Sequence, residues 1–163
     1  MKIIYVELDR CIACLNCERG CLFHKIEQHA GSTTNIFVSV DMDQRRIFAG
    51  TCLQCETALC MAACPVDALT RDPLTSAVVV DAQACVSCGM CIIACPYGYI
   101  NLDASLRRAT KCDLCGGDPR CVQVCMAGAL HFDSIQSLVE CRQKNPDMHL
   151  GLRAVSNEGN AEP

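Results

Sequence analysis

The residues able to do chemistry in this chain are its cysteines, 17 in 163 residues. Sixteen of them fall into four groups, each closing on the same C-x3-C spacing. The first, "CIACLNCERGC" (Cys11, Cys14, Cys17, Cys21), and the third, "CVSCGMCIIACP" (Cys85, Cys88, Cys91, Cys95), read C-x2-C-x2-C-x3-C. The second, "CLQCETALCMAACP" (Cys52, Cys55, Cys60, Cys64), widens the middle gap to four residues. The fourth, "CDLCGGDPRCVQVC" (Cys112, Cys115, Cys121, Cys125), widens it to five. A C-x2-C-x2-C turn presents three thiolates on the inside of a tight loop, as three corners of an iron–sulfur cube require. The fourth cysteine, on the helix that follows, points away and serves the other cube of a pair. Four groups therefore imply four [4Fe-4S] clusters that share ligands in two pairs.

Two other uses of so many thiols weigh less. Zinc ribbons also use C-x2-C pairs, but four sets of four with a recurrent C-x3-C exceed any zinc spacing rule. A disulfide scaffold needs an oxidising compartment, and neighbouring cysteines in such turns would compete for many bridges. "MKIIYVELDR" offers only four consecutive apolar residues before Glu7 and no twin arginine, so no export signal is read there. No stretch approaches the roughly 18 apolar residues of a membrane span. The expected location is cytoplasmic, with reduced thiols. A formal charge of −4 and scattered lysines and arginines give no footprint for nucleic acid.

The elements that must hold these loops are short. "IIYVEL", "IFVSV", "RRIFAG", "AVVVD", "YINLD" and "ALHFD" are β-branched enough for strands of small hairpins. The segment closing each group reads as the opening of a short helix. With no Trp, 3 Tyr and 4 Phe, the chain lacks the aromatic bulk of an ordinary core and needs another stabiliser. The fold class is α+β: two interleaved bacterial ferredoxin-like 2[4Fe-4S] modules. Groups two and three both end in Cys-Pro (Cys64-Pro65, Cys95-Pro96) and delimit an inner module over residues 46–103. Groups one and four lack that proline, and residues 1–35 plus 104–135 are left to form an outer module; tandem pairing, one with two and three with four, is the alternative. Residues 136–163 read as a mobile or partner-binding tail. No Gly-rich phosphate loop or nucleophile–base pair is found. His24, His29, His131 and His149 are assigned surface or packing roles, and Cys141 is a bystander thiol.

The four groups resemble those of the four-cluster, ferredoxin-like iron–sulfur subunits of multi-subunit oxidoreductases, over about residues 1–135. "CIACLNCERGC" and "KCDLCGGDPRC" look most like the small electron-transfer subunits that accompany bacterial tungsten enzymes of the aldehyde:ferredoxin oxidoreductase family. That resemblance implies an electron wire without a catalytic site of its own. It would relay single electrons between a catalytic tungsten or molybdenum subunit and a redox partner such as a flavin or NAD-linked subunit or a ferredoxin, with self-association possible. Equivalent subunits of benzoyl-CoA reductase, carbon monoxide dehydrogenase, hydrogenase or formate dehydrogenase complexes, and stand-alone polyferredoxins, share the pattern. The resemblance implies four ligand sets: Cys11, Cys14, Cys17 and Cys125; Cys112, Cys115, Cys121 and Cys21; Cys52, Cys55, Cys60 and Cys95; and Cys85, Cys88, Cys91 and Cys64. Met126 stands where relatives often have proline, a departure that leaves ligation intact.

Overall fold

The computed structural model describes residues 1–145. Eight short strands and five helices alternate: β1 (Lys2–Val6), α1 (Asn16–Glu27), β2 (Ile36–Asp41), β3 (Arg46–Thr51), α2 (Leu59–Ala62), β4 (Leu69–Arg71), β5 (Val78–Val80), α3 (Met90–Ala94), β6 (Ile100–Asp103), β7 (Arg108–Lys111), α4 (Arg120–Gln123), β8 (Leu130–Ser134) and α5 (Ile135–Lys144). The expected α+β content, short hairpins with short helices, is the content observed. The strands pair two by two, all antiparallel: β1 with β8, β2 with β3, β4 with β5 and β6 with β7.

Three of the hairpins turn by one device. Asp41, Asp72 and Asp103 each open a turn, their side-chain oxygens accepting from backbone amides two and three residues on. Four residues after each stands a left-handed residue, Arg45 (φ 52°), Ser76 (φ 61°) and Arg107 (φ 49°). A type I turn closed by a left-handed residue matches the twist of the flanking strands. Asp103 is fully buried and also accepts from the Ser32 amide at 2.7 Å, which ties the loop after α1 to the β6–β7 turn. Hydrogen bonds from the Ser105 hydroxyl first, and from the Ser32, Leu106 and Ser105 amides, hold its carboxyl far below the usual carboxylate range.

The fourth pair joins distant parts of the chain. β1 and β8 meet with Ile4 opposite Phe132 and Val6 opposite Leu130. α1 packs against α4 so closely that a Cβ on Gly20 would stand 2.8 Å from Val124 Cγ2. Buried apolar residues form two clusters, one around Ile4, Ile36, Leu114 and Leu130, the other around Leu69, Val78 and Ile100. Cysteines sit in both, so thiols fill space that aromatic rings would otherwise occupy. β4 and β7, "LTR" and "RATK", had no apolar signature; their hairpin partners impose the extended form. α5 occupies the start of the expected tail, capped by the Ser134 hydroxyl on the Ser137 amide at 3.1 Å. Residues 146–163 of that tail, and His149, lie outside the described residues.

Candidate metal centres

Each group of cysteines lies in a loop whose backbone is forced to coil tightly. The residue before the second cysteine is left-handed in all four: Ala13 (φ 52°), Gln54 (φ 51°), Ser87 (φ 60°) and Leu114 (φ 60°). None is glycine, so each stores on the order of 1 kcal/mol of strain. The residue after the second cysteine is left-handed in three groups, Leu15, Gly89 and Gly116. Left-handed residues at these positions, joined in group four by Cys115 and Gly117, curl the chain tightly around its own cysteines. The short helix that follows then carries the last cysteine of the group away from the loop.

The loops and helices bring cysteines of different groups together. One cavity is lined by Cys11, Cys14 and Cys17 and by Cys125, with Val6, Val38 and Leu130 as its apolar wall. A second is lined by Cys85, Cys88 and Cys91 and by Cys64. A third carries Cys52, Cys55 and Cys60 with Cys95, and is flanked by Tyr97, Tyr99 and Lys111. Cys112, Cys115 and Cys121 gather around Cys21: burial drives the Cys121 thiol far up, and the charges of Cys112, Cys21 and Cys115 push it further. These are the sixteen cysteines of the four groups. Cys141 lies apart on α5, its Sγ 3.6 Å from Glu7 Oε1. His131 stacks on Tyr5 at 5.0 Å between ring centroids, a packing role.

Burial is the first cause of raised thiol pKa values, reaching about 11 at Cys17 and about 12 at Cys112; Glu18 and the thiols of its own set add to it at Cys17, and Cys52 of another set adds to it at Cys112. Cys17 acts on Cys121, Cys52 on Cys112, and Cys60 on Cys91. Electrostatic reach thus links the Cys11–Cys17 set to the Cys112–Cys121 set, that set to the Cys52–Cys60 set, and that one to the Cys85–Cys91 set. Thiols buried this far from water do not ionise without a cation to receive them. Backbone N–H groups donate to sulfur, among them Ala68 to Cys64 at 3.2 Å, Asn35 to Cys21 at 3.4 Å and Ala109 to Cys85 at 3.5 Å.

The donor chemistry separates two kinds of metal site. Among the described residues no three His, Cys, Asp or Glu side chains converge as a single ion requires. The thiols instead line cavities in sets drawn from two groups, and four thiolates are what a [4Fe-4S] cluster takes.

A 4Fe-4S dicluster domain model matches residues 44–135. The chain belongs to that iron–sulfur family. The match covers groups two, three and four. A polyferredoxin-like subunit of aliphatic sulfonate oxidoreductase from Pyrococcus furiosus is 37% identical over 129 residues, spanning 75% of this chain and 70% of the relative. A putative electron transport protein of Escherichia coli is 33% identical over 147 residues, 84% of this chain and 92% of that one. A ferredoxin of Methanocaldococcus jannaschii is 37% identical over 142 residues, 84% and 83% of the two chains. This member of the 4Fe-4S dicluster family is an iron–sulfur electron-transfer protein.

Four polar side chains at the heart of this family member had no sequence signal. Lys25, Lys111, Asn35 and Gln54 are all buried. Thr110 links Lys25 to Asn35, Asn35 donates to the Lys111 carbonyl and Lys111 to Gln54, so hydrogen bonds tie β7 to α1 and to the loops before β2 and α2. Lysine reads as a surface residue on composition alone. The one hint is position, since Lys111 directly precedes Cys112.

Proposed function

We propose that the chain is the electron wire of an oxidoreductase complex, carrying four [4Fe-4S] clusters on its sixteen grouped cysteines. Cys11, Cys14, Cys17 and Cys125 would hold the first; Cys112, Cys115, Cys121 and Cys21 the second; Cys52, Cys55, Cys60 and Cys95 the third; Cys85, Cys88, Cys91 and Cys64 the fourth. The observation that carries this reading is that three cavities are each lined by three cysteines of one group and one of another. The β1–β8 pairing and the α1–α4 contact support interleaved modules, since they bring groups one and four together.

When bound, each cluster supplies a site that takes up and releases one electron at a time. The chain's own part is to fix, bury and tune the sites. Its left-handed loop residues aim the thiolates, its apolar walls keep water off, and the amides of Ala68, Asn35 and Ala109 donate to sulfur and make the nearby sites easier to reduce. Cys88 is the one exposed cysteine among the described residues, which suits the Cys85–Cys91 end for exchange with a partner. The chain is an electron-transfer subunit with no catalytic site of its own. Its partner in this reading is a tungsten aldehyde oxidoreductase subunit, with a flavin or NAD-linked subunit or ferredoxin at the other end, in the cytoplasm. No helix among the described residues is long and apolar enough to cross a membrane.

Anaerobic purification with metal and acid-labile sulfide analysis tests the cluster count. About sixteen irons and as many sulfides per chain are expected; about four zincs, or eight irons, would end this reading. Co-purification with a tungsten-containing subunit tests the partner. A chain always recovered alone would favour a free polyferredoxin, which the similarity to a named ferredoxin also supports.

A further inference from the structure

Lys111 ends β7 immediately before Cys112, yet it is only 4% exposed. Its Nζ donates to Gln54 Oε1 at 3.2 Å, to the Cys112 carbonyl at 2.9 Å and to the Val78 carbonyl. An ammonium has three N–H donors and no acceptor, whereas a neutral amine has two donors and a lone pair. One nitrogen bonded to three oxygens is therefore the environment of the charged form. All three oxygens are neutral, and among the described residues no carboxylate comes within ion-pair distance of Lys111. Gln54 is itself locked in place beside the ammonium. It is fully buried, its Nε2 donates to the Cys112 carbonyl at 2.8 Å, and its Oε1 also accepts from the Val78 amide at 2.9 Å.

An ammonium removed from water without a counter-ion costs several kcal/mol. A fold that builds a three-oxygen cradle for one must supply negative charge nearby. Among the described residues, the anions that these surroundings offer are thiolates. Lys111 forms part of the wall of the cavity lined by Cys52, Cys55, Cys60 and Cys95, and its own carbonyl neighbour is Cys112 of the adjacent set. Lys25 is a weaker case, its Nζ donating to the Thr33 carbonyl and to Thr110 Oγ1.

We propose that Lys111 is a potential-setting residue at the junction of the two central sites, its buried ammonium serving as the counter-charge of the cluster held by Cys52, Cys55, Cys60 and Cys95. This rests on the four-cluster reading. Reduction of that site adds one electron, drawn from the neighbouring cluster or from a chemical reductant, with no bond made and no proton moved. The ammonium stabilises the reduced form, which carries one more negative charge, over the oxidised form. The middle of the wire is thereby kept reducible although burial alone would disfavour added charge.

The test is an EPR-monitored redox titration of the full chain with its clusters in place, comparing wild type with Lys111→Gln and Lys111→Arg. In Lys111→Gln the iron content should stay unchanged while one midpoint potential falls. The expected fall in the reduction constant is about tenfold or more, which for a one-electron couple is about 59 mV or more. Lys111→Arg, which keeps the charge, should stay within about threefold of wild type. No shift in the glutamine variant overturns the proposal, as does an equal shift in both variants, which would report packing rather than charge. Should Lys111→Gln lose iron, Gln54→Glu decides: it leaves the lysine in place and sets a carboxylate against it. The same downward shift is expected there, and its absence overturns the proposal. A wild-type chain without about sixteen irons would remove the four-cluster reading itself; intact clusters with unmoved potentials would remove the role of Lys111 alone.

Discussion

Replacing Cys125 by alanine tests the crossing of ligands between the two ends of the chain. Cys125 belongs by sequence to the fourth group, yet it lines the cavity of Cys11, Cys14 and Cys17. Its backbone is fixed independently of the thiol, through Cys125 N to the Val122 carbonyl at 3.2 Å and Gly128 N to the Cys125 carbonyl at 3.1 Å. The substitution removes one half-buried sulfur, worth about 1 kcal/mol of packing, so the fold should persist. The chemical loss is larger. One iron of one cube would have no protein ligand, and the total should fall from about sixteen irons to between about twelve and fifteen, depending on whether the cube loses a corner or dissociates. Two reference variants locate the damage. Cys14→Ala should alter the same EPR signal as Cys125→Ala, and Cys115→Ala a different one. If the Cys125→Ala spectrum instead matches that of Cys115→Ala, with the Cys14 signal intact, then group four ligates its own cluster and the crossed assignment is wrong.

Other substitutions probe the scaffold. Gly20→Ala places a methyl group 2.8 Å from Val124 Cγ2, so α1 and α4 must separate. A loss of about 1–3 kcal/mol in thermal stability is expected, with weaker retention of the site containing Cys21 seen in iron release to a chelator. Leu114→Ala empties a fully buried position between Cys112 and Cys115 and should cost about 2–5 kcal/mol by denaturant unfolding. Asp103→Asn should destabilise the β6–β7 turn. The folded Asp103 carboxyl holds its proton more weakly than an unfolded one. Its contribution is therefore complete above about pH 4 and is lost as pH falls below that. The stability gap between wild type and Asp103→Asn should be flat from about pH 8 to 5 and shrink on further acidification; a gap that widens there would contradict this account of the turn.

Much of the secondary structure was legible because it is local. The apolar runs before and after the cysteine groups became β1, β2, β3, β5, β6 and β8, and the C-x3-C segments became helices. What was missed was also consistent. β4 and β7 are polar and short, extended only because β5 and β6 offer them a ladder. The recurrent Asp with a left-handed residue four positions on was visible in "DMDQR", "DPLTS" and "DASLR" but carries no meaning until three hairpins are seen to share it. α5 escaped notice because its first turn lies where apolar periodicity is weak and its cap, Ser134, ends a strand.

The sequence by itself determined which atoms are available for metal and in what local geometry. A three-thiol loop is closed within seven to ten residues, so its chemistry needs no information from elsewhere in the chain. Only the tertiary structure decided which fourth thiol faces which loop, since Cys125 meets Cys11 through the pairing of β1 with β8 and through α1 on α4. It also decided where charge is buried. A lysine carries the same side chain on a surface or in a core, and Lys111 became notable only when β7, Gln54 and the Val78 carbonyl closed around its ammonium. Contacts of that kind span long stretches of chain and are set by packing, which local spacing does not encode.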